Sequence, residues 1–282
     1  IGNLIRQRFG KEVQQLLVDP LVGSIYATDT NNFSLAMMPQ LAALATGRSV
    51  LLTARKQMKS APKTTTPIFE TPRSGLATLT DSLHESIIAL GGHITTSTTV
   101  QSISRTNNGY TVDISGSSSN SLHADCIIVA SPARASAKLL QTLSEDASKL
   151  MGSAEHSSVV MATIKTVETD LPKLAGLSGY LVPKPDQDRV TATSFGSNKW
   201  AHWKPSDGSM ILRVSLGRDG APTHDLLHEW DDERIVRQVI DEVSRHTRTS
   251  ITPDVFRITR WPEAFPQYRP GHMKYVESVE TS

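Results

Sequence analysis

Two histidines and a glutamate have the spacing that some metal sites use. His224 and His228 lie four residues apart in "PTHDLLHEWDDE", which places two imidazoles on one helix face beside Glu229. No third ligand is identifiable, and the acidic residues around them are typical of the solvated first turn of a helix. We therefore expect no metal site in this chain.

The remaining sequence offers no constellation for acid–base or nucleophilic catalysis. It contains no GxSxG, no paired carboxylates in a glycosidase-like context and no complete phosphate-binding loop. The glycines of "RSGLATL" and "SLGRDGAP" lack the GxGxxG spacing. This absence is informative if a cofactor carries the reaction, and in that case we expect no catalytic side chain.

An aromatic, proline-rich segment is the most unusual feature. "RWPEAFPQYRPGH" (260–272) contains three prolines, which exclude a helix interior and a central strand. Its aromatic residues Trp261, Phe265 and Tyr268 favour burial, although irregular backbone is normally polar and exposed. The segment therefore predicts a rigid, aromatic and partly basic loop.

Composition excludes several classes of protein. The 282 residues carry a net charge of +1, which leaves no excess of cations to coat nucleic acid. The single cysteine, Cys126, excludes an internal disulfide, and its apolar context "ADCIIVA" predicts a buried thiol. We find no signal peptide and no apolar run that would span a bilayer, so we expect a cytoplasmic protein. Because the chain opens without Met and stops where no element clearly ends, we expect an internal piece of a longer protein.

The hydrophobic patterns change along the chain. Helices are predicted over 1–17, 35–46 (with Ser34 as cap and a kink at Pro39) and 76–90, and loops over 17–35 and 55–67. Asn108-Gly109 predicts a hairpin, and 124–130 reads as a strand buried on both faces, followed by a helix that Ser131 caps. Strands near 158–166, 190–195 and 210–216 precede a long helix containing Ile235, Val239 and Val243. Helical, nucleotide-domain-like and antiparallel pieces thus alternate, and we expect them to interleave.

Several motifs, in the same order along the chain, resemble one family. "TRWPEAFPQYRPGH" is similar to the R-W-x-x-x-x-P-Q-Y-x-x-G-H signature of HemY-type protoporphyrinogen/coproporphyrinogen oxidases. "DPLVGSIYATDTNNFSLAMMPQL" resembles a second motif of that family, and "PIFETPRSGLATLTDSL", "ADCIIVASPARASAKLL" and "SGYLVP" follow in order. The N-K-W and R-W-P-E variants resemble the Gram-positive type, which acts on coproporphyrinogen III.

The resemblance implies an α+β / α/β fold, part of a two-domain FAD-linked oxidoreductase. Residues 1–70 would form the helical part of the substrate domain and 71–150 part of the FAD-binding domain. Residues 151–259 would add an antiparallel sheet and helix to the substrate domain, and 260–282 an interdomain loop returning to the FAD domain. The family's N-terminal GxGxxG turn and its C-terminal FAD segment are absent from this sequence, so we expect a central fragment with little flavin affinity of its own.

The resemblance also assigns site residues. The matching cofactor positions are Val100 in "STTVQSI", Trp261, and Ala130 with Pro132 at the end of "ADCIIVASP". The matching substrate positions are Ile25 in "GSIYATD", Gly179 and Leu181 in "SGYLVP", and Tyr268 in "FPQYRPGH". Each of these would be an ordinary core or loop residue if the family did not apply.

The implied reaction is oxidation of coproporphyrinogen III or protoporphyrinogen IX in haem biosynthesis. Hydride would pass from the macrocycle to flavin N5 and the electrons to O₂. The alternatives are a related flavin amine oxidase or desaturase, or a non-catalytic module. Peripheral membrane contact and a homodimer stay open. Acidic substrates need a basic rim, for which we nominate the cations Arg260, Arg269, His272, Arg55, Lys56 and Lys59.

Overall fold

The computed structural model describes residues 1–47, 49–60, 70–116, 120–167, 174 and 176–282. The chain divides into two compact units, each built from two separate segments. The first unit comprises Ile1–Ile68 and His156–Pro270, and the second comprises Phe69–Glu155 and Gly271–Ser282.

The first unit contains an antiparallel sheet of five strands in the order β5-β6-β7-β4-β8. Its strands are β4 (His156–Thr166), β5 (Gly179–Leu181), β6 (Val190–Phe195), β7 (Met210–Leu216) and β8 (Pro253–Pro266). Its helices are α1 (Gly2–Phe9), α2 (Lys11–Val13), α3 (Asp19–Tyr26), α4 (Pro39–Ala45), α5 (Val50–Ser60), α9 (Gly196–Lys199), α10 (His224–His228) and α11 (Asp232–Thr247). Shorter turns of π-helix (Gln14–Val18) and 3₁₀-helix (Leu35–Met37, Lys184–Asp186, Ala201–Trp203) connect them.

The core of this unit lies between the sheet and α11. Alternate residues of β4 and β7 are buried, as expected for strands with one covered face. Helix α11 presents Ile235, Val239 and Val243 to them, and its N-cap Asp231 accepts a hydrogen bond from the backbone of Arg234 at 2.7 Å. The predictions for β4, β6, β7 and α11 are confirmed.

Predictions for four segments of the first unit are wrong. Residues 19–26, predicted as a loop, form α3, because Pro20 occupies its first turn, where a proline needs no N–H partner. Pro39 begins α4 instead of kinking a longer helix, and Ser34 makes no side-chain cap. Residues 55–60 belong to α5, whereas the remainder of the predicted loop, 61–67, lies outside the described residues.

The fourth error concerns the aromatic segment. Residues 260–266 are not an irregular loop but the second half of β8. This strand lies at the edge of the sheet, where one side needs no partner, so Pro262 and Pro266 are tolerated. The prediction that this segment is not a central strand is confirmed, because β8 is an edge strand. The prediction of an irregular loop is wrong for residues 260–266.

The second unit combines helices with a small antiparallel sheet of order β1-β2-β3. Its strands are β1 (Thr98–Thr106), β2 (Gly109–Gly116) and β3 (Asn120–Ala124). Its helices are α6 (Ala77–Ala89), α7 (Ala133–Leu140), α8 (Glu145–Gly152) and α12 (His272–Thr281). The predicted hairpin at Asn108-Gly109 is confirmed by the pairing of Thr106 with Gly109.

The predicted buried strand at 124–130 is wrong. Only Ala124 belongs to a strand, Cys126 is exposed, and the Ile128 side chain is 90% exposed. A strand buried on both faces needs neighbours to cover it, and the part of the chain that the structure describes provides none. Helix α7 begins after Pro132, not after Ser131.

Among the described residues, no helix is long and apolar enough to cross a membrane.

Candidate active site

The five-stranded sheet has a second face, opposite α11, which we call the cavity face. Because side chains alternate along a strand, Met161 lies on the cavity face while its neighbours Val160 and Ala162 belong to the core. Residues paired across strands point to the same side of a sheet. The pairing therefore extends this face in two rows across the strands. One row is Leu181, Ala192, Ser215, Met161 and Thr259, and the other is Gly179, Ser194, Arg213, Thr163 and Arg257.

A cavity of about 580 Å³ opens on the β5–β6–β7 part of the cavity face. Gly179 and Leu181, two of the predicted substrate residues, line it, and Leu181 is 40% exposed. Two tryptophans and two cations also line it, namely Trp200, Trp203, Lys199 and Arg213. A volume of this order is typical of small-molecule sites.

Gly179 allows β5 and β6 to approach closely at this cavity. Its φ of 145° is a conformation that residues with a Cβ rarely adopt. A Cβ at this position would lie 2.3 Å from the carbonyl oxygen of Thr193 on β6. The glycine is therefore required by the backbone as well as suited to a ligand.

Trp261 lies on the same face at the other edge of the sheet. It pairs with Val159 on β4, and its indole is 46% exposed. The neighbouring Arg260 points to the opposite side, where it donates to the carbonyl oxygens of Leu226 and Trp230. The sheet thus brings Trp261, Gly179 and Leu181 onto one surface.

Ile25 and Tyr268 belong to the same unit but not to the sheet. Ile25 is on α3, which contacts β5 and β6, and it is 59% exposed. Tyr268 packs edge-on against Tyr26 and Phe33, with ring centroids 6.5 and 5.9 Å apart. Tyr268 is therefore half-buried in a second apolar cluster and is not among the residues that line the cavity.

Gln267 joins the two regions that carry the longest motifs. Its Nε2 donates to the carbonyl oxygen of Ala27, after α3, and to Ser157 Oγ on β4. Ser157 Oγ and the backbone N–H of Asp219 donate to the same Ala27 oxygen at 2.8 Å. Ala27 has a left-handed conformation with φ 47°. The motif glutamine thus holds the turn that follows Ile25.

Ion pairs fix the same turn. Asp19 of α3 accepts two hydrogen bonds from Arg218, at 2.9 and 3.1 Å, and both side chains are buried. Asp29 pairs with Lys184 beyond β5. Burial alone would raise the pKa of Asp29, but hydrogen bonds from Lys184 and the Asn31 backbone, with the charges of Lys184 and Arg218, lower it overall.

The other predicted cofactor residues belong to the second unit. Val100 is on β1, an edge strand, directly before a bulge that leaves Gln101 out of the pairing with β2. A bulged edge exposes backbone donors and acceptors that a ligand can use. Ala130 and Pro132 are exposed where the chain enters α7.

The cations nominated for the rim have other positions. Arg260 pairs with Asp232 on the core side, and Arg269 makes a bidentate pair with Asp219 at 2.6 and 2.9 Å. Arg55, Lys56 and Lys59 are exposed on α5, and His272 begins α12 in the second unit. Arg260 therefore faces away from the cavity, and its nomination as a rim residue was wrong, whereas Arg269 already has a carboxylate partner in Asp219.

The two cations and two tryptophans of the cavity wall were not predicted from the sequence: Lys199, Trp200, Trp203 and Arg213. Lys199 and Trp200 belong to the N-K-W segment, which was used above only to identify the Gram-positive type of the family. That segment could also have indicated that these two residues belong to the site. Arg213 could have been found from the alternation of β7, because it falls between the buried Leu212 and Val214.

No group of three or more potential metal ligands occurs among the described residues. His224 instead contacts Glu229 at 3.1 Å and the ring of His228 at a centroid distance of 5.0 Å, on the exposed side of α10.

Comparisons with known proteins agree with this architecture. The chain is 25% identical over 288 residues to a coproporphyrinogen III oxidase of Bacillus subtilis and 28% identical over 286 residues to one of Mycobacterium leprae. Each match covers 99% of this chain but 59% of the relative, so the chain spans less than two thirds of their length.

Solved structures share the fold. A protein from an Exiguobacterium species, assigned as a protoporphyrinogen oxidase, superposes with a TM-score of 0.80 at 23% identity, over 99% of this chain and 58% of that one. Cyclohexylamine oxidase from Brevibacterium oxydans gives 0.62 at 15% identity, over 98% and 57%. The predicted FAD-linked oxidoreductase fold is confirmed.

The family model "Flavin containing amine oxidoreductase" matches residues 1–281. The chain therefore belongs to the flavin-containing amine oxidoreductase family.

Proposed function

We propose that this chain forms the substrate-binding part of an FAD- and oxygen-dependent porphyrinogen oxidase. One observation carries the proposal: Gly179 and Leu181 line a cavity of about 580 Å³ on the same face of the sheet that also carries Trp261 at its other edge. The porphyrinogen-oxidising relatives named above support the choice of substrate class.

Each unit, taken by itself, contains described residues with the chemistry that a cofactor needs. The bulged edge at Val100 offers free backbone groups, Trp261 exposes a flat indole, and the chain at Ala130 and Pro132 is small and exposed. Val100 would hold the adenine end through its backbone, and Trp261 would lie near the flavin ring. When bound, FAD supplies the acceptor for hydride from the macrocycle and passes the electrons to O₂.

The protein would contribute binding and orientation. A porphyrinogen is a broad apolar ring with carboxylates at its rim, so its site needs apolar or aromatic walls and basic edges. Leu181, Trp200 and Trp203 supply such a wall. Gly179 lets the macrocycle approach the backbone. Ile25, on α3, would add an apolar side chain to the substrate site.

We also propose which residues of this chain belong to each domain of the whole protein. Residues 1–70 and 151–259 would belong to the substrate domain, 71–150 to the FAD domain, and 260–282 to the return between them. We also propose a cytoplasmic location, with peripheral membrane contact and homodimer formation left to experiment.

The test is an oxidation assay of the flavin-loaded protein that contains this chain. Coproporphyrinogen III and protoporphyrinogen IX are supplied in aerobic buffer, and porphyrin fluorescence and H₂O₂ are measured. The proposal expects porphyrin formation from at least one of them. Oxidation of amines and of neither porphyrinogen would instead identify a related amine oxidase.

Leu181→Arg probes the wall directly. A guanidinium at this position intrudes on the cavity and loses hydration when the macrocycle binds, so we expect kcat/KM to fall at least about tenfold. Flavin content, measured by absorbance, should not change. Leu122→Arg, on exposed β3 of the second unit, is the matched control and should behave like wild type. Equal kinetics for both variants would contradict the assignment of the wall.

A further inference from the structure

Arg213 projects from the cavity face without a structural role of its own. It lies on β7, paired with Ser194 on one side and Thr163 on the other, and its side chain is exposed. Among the described residues, no carboxylate or carbonyl engages its guanidinium. Lys165 on the neighbouring strand β4 differs, because it contacts Asp207 and Asp254 at 2.7 and 3.1 Å.

Lys199 approaches the same cavity from the end of α9. Its ammonium lies 5.8 Å from the centre of the Trp200 ring, a cation–π distance, and within the described part of the chain no acid pairs with it. Two positive charges therefore line one cavity with no negative charge among its lining residues.

The segment that carries Lys199 is held rigidly. Ser197 Oγ donates to the carbonyl oxygen of Trp203 at 3.0 Å and accepts from the Ile211 backbone on β7 at 2.8 Å. The Trp203 ring packs on Gly196, where a Cβ would lie 2.2 Å from it. The cavity is thus organised before a ligand arrives, which lowers the entropy cost of binding.

We propose that Lys199 and Arg213 form a carboxylate subsite that binds an acidic substituent of the substrate. Given the porphyrinogen proposed above, on which this inference rests, Trp200 and Trp203 would contact the apolar ring while the two cations hold a rim carboxylate. Arginine suits a bidentate contact and lysine a point charge. This subsite replaces the rim predicted from Arg260 and Arg269.

Binding to the flavin-loaded protein tests the subsite independently of turnover. Coproporphyrin III and its tetramethyl ester, which lacks free carboxylates, are titrated by porphyrin fluorescence. We expect Arg213→Gln and Lys199→Gln each to weaken binding of the acid about fivefold or more while leaving the ester unchanged. Added salt should weaken wild-type binding of the acid more than that of the variants.

Arg237→Gln is the matched control. Arg237 is exposed on α11, which covers the opposite face of the sheet, so its loss should change neither titration. If Arg213→Gln weakens acid and ester equally, or weakens neither, the subsite is wrong.

Kinetics separate this inference from the proposed function. In Arg213→Gln, KM for coproporphyrinogen III should rise about fivefold with kcat within about twofold of wild type. A wild-type protein that oxidises no porphyrinogen overturns the proposed function, whereas an active wild type whose KM is insensitive to both substitutions overturns only the subsite.

Discussion

At the scale of single residues, the candidate site depends on buried polar groups that lie beside it. Asp19 and Arg218 are fully enclosed, and the Asp19 carboxylate also accepts hydrogen bonds from the Thr30 backbone and hydroxyl at 3.1 and 2.7 Å. Removing one partner of a buried pair leaves the other charge without compensation, and that cost exceeds the net value of the pair. The pair therefore holds α3 and its following turn in place.

We expect Asp19→Ala to lower the free energy of unfolding of the first unit by about 3–5 kcal/mol. All four tryptophans lie in this unit, so urea unfolding followed by tryptophan fluorescence reports on it alone. Glu229→Ala, which removes an exposed contact with His224, should cost less than about 1 kcal/mol. Equal losses in the two variants would contradict the role of the buried pair.

At the scale of elements, the turn between α3 and the 3₁₀ segment at Leu35 should respond to acid. Its Asp29 has a lowered pKa in the folded protein. A depressed carboxyl pKa contributes stability above the unfolded value of about 3.9, and this stability is lost as the pH falls through the folded value. The first unit should thus lose stability below about pH 4.

Asp29→Asn should remove part of this acid sensitivity. We expect the variant to be less stable than wild type at neutral pH, because it loses the ion pair with Lys184, and to change less between neutral and acidic pH. The measurement is the urea midpoint from tryptophan fluorescence across that range. Asp186→Asn, exposed on the same 3₁₀ turn as Lys184, should keep the wild-type pH profile. A wild-type profile for Asp29→Asn would refute the assignment.

The strands and the helix that were predicted correctly from the sequence have a clear periodicity of apolar residues within the element itself. β4, β7 and α11 bury alternate or helically spaced apolar residues within one unit, so local periodicity was sufficient. The segment 124–130 has the composition of a buried strand, but burial depends on neighbours that the described residues lack, and composition cannot supply them. Arg260 and Arg269 look like free rim cations in sequence, because Asp232 and Asp219 are distant along the chain.

At the scale of the whole molecule, the described residues include many large apolar side chains that are exposed. Helix α6 alone exposes several, and Ile128 is almost fully exposed.

The motifs that resemble one family predicted the fold correctly, because the order of these motifs along the chain reflects the topology. The cavity cations required the strand register, which joins residues of β5, β6 and β7 that motif spacing leaves apart.

The 282-residue chain alone should bind flavin only weakly. The sequence contains no GxGxxG turn, whose helix N-terminus receives the pyrophosphate of FAD. We therefore expect the purified chain to be colourless, and expect FAD and riboflavin to bind it with the same weak affinity in titrations followed by flavin fluorescence. Riboflavin is the control because it lacks the pyrophosphate and adenine. Stoichiometric FAD after gel filtration, or FAD binding much tighter than riboflavin binding, would show that Val100 and its neighbours hold the dinucleotide without that turn.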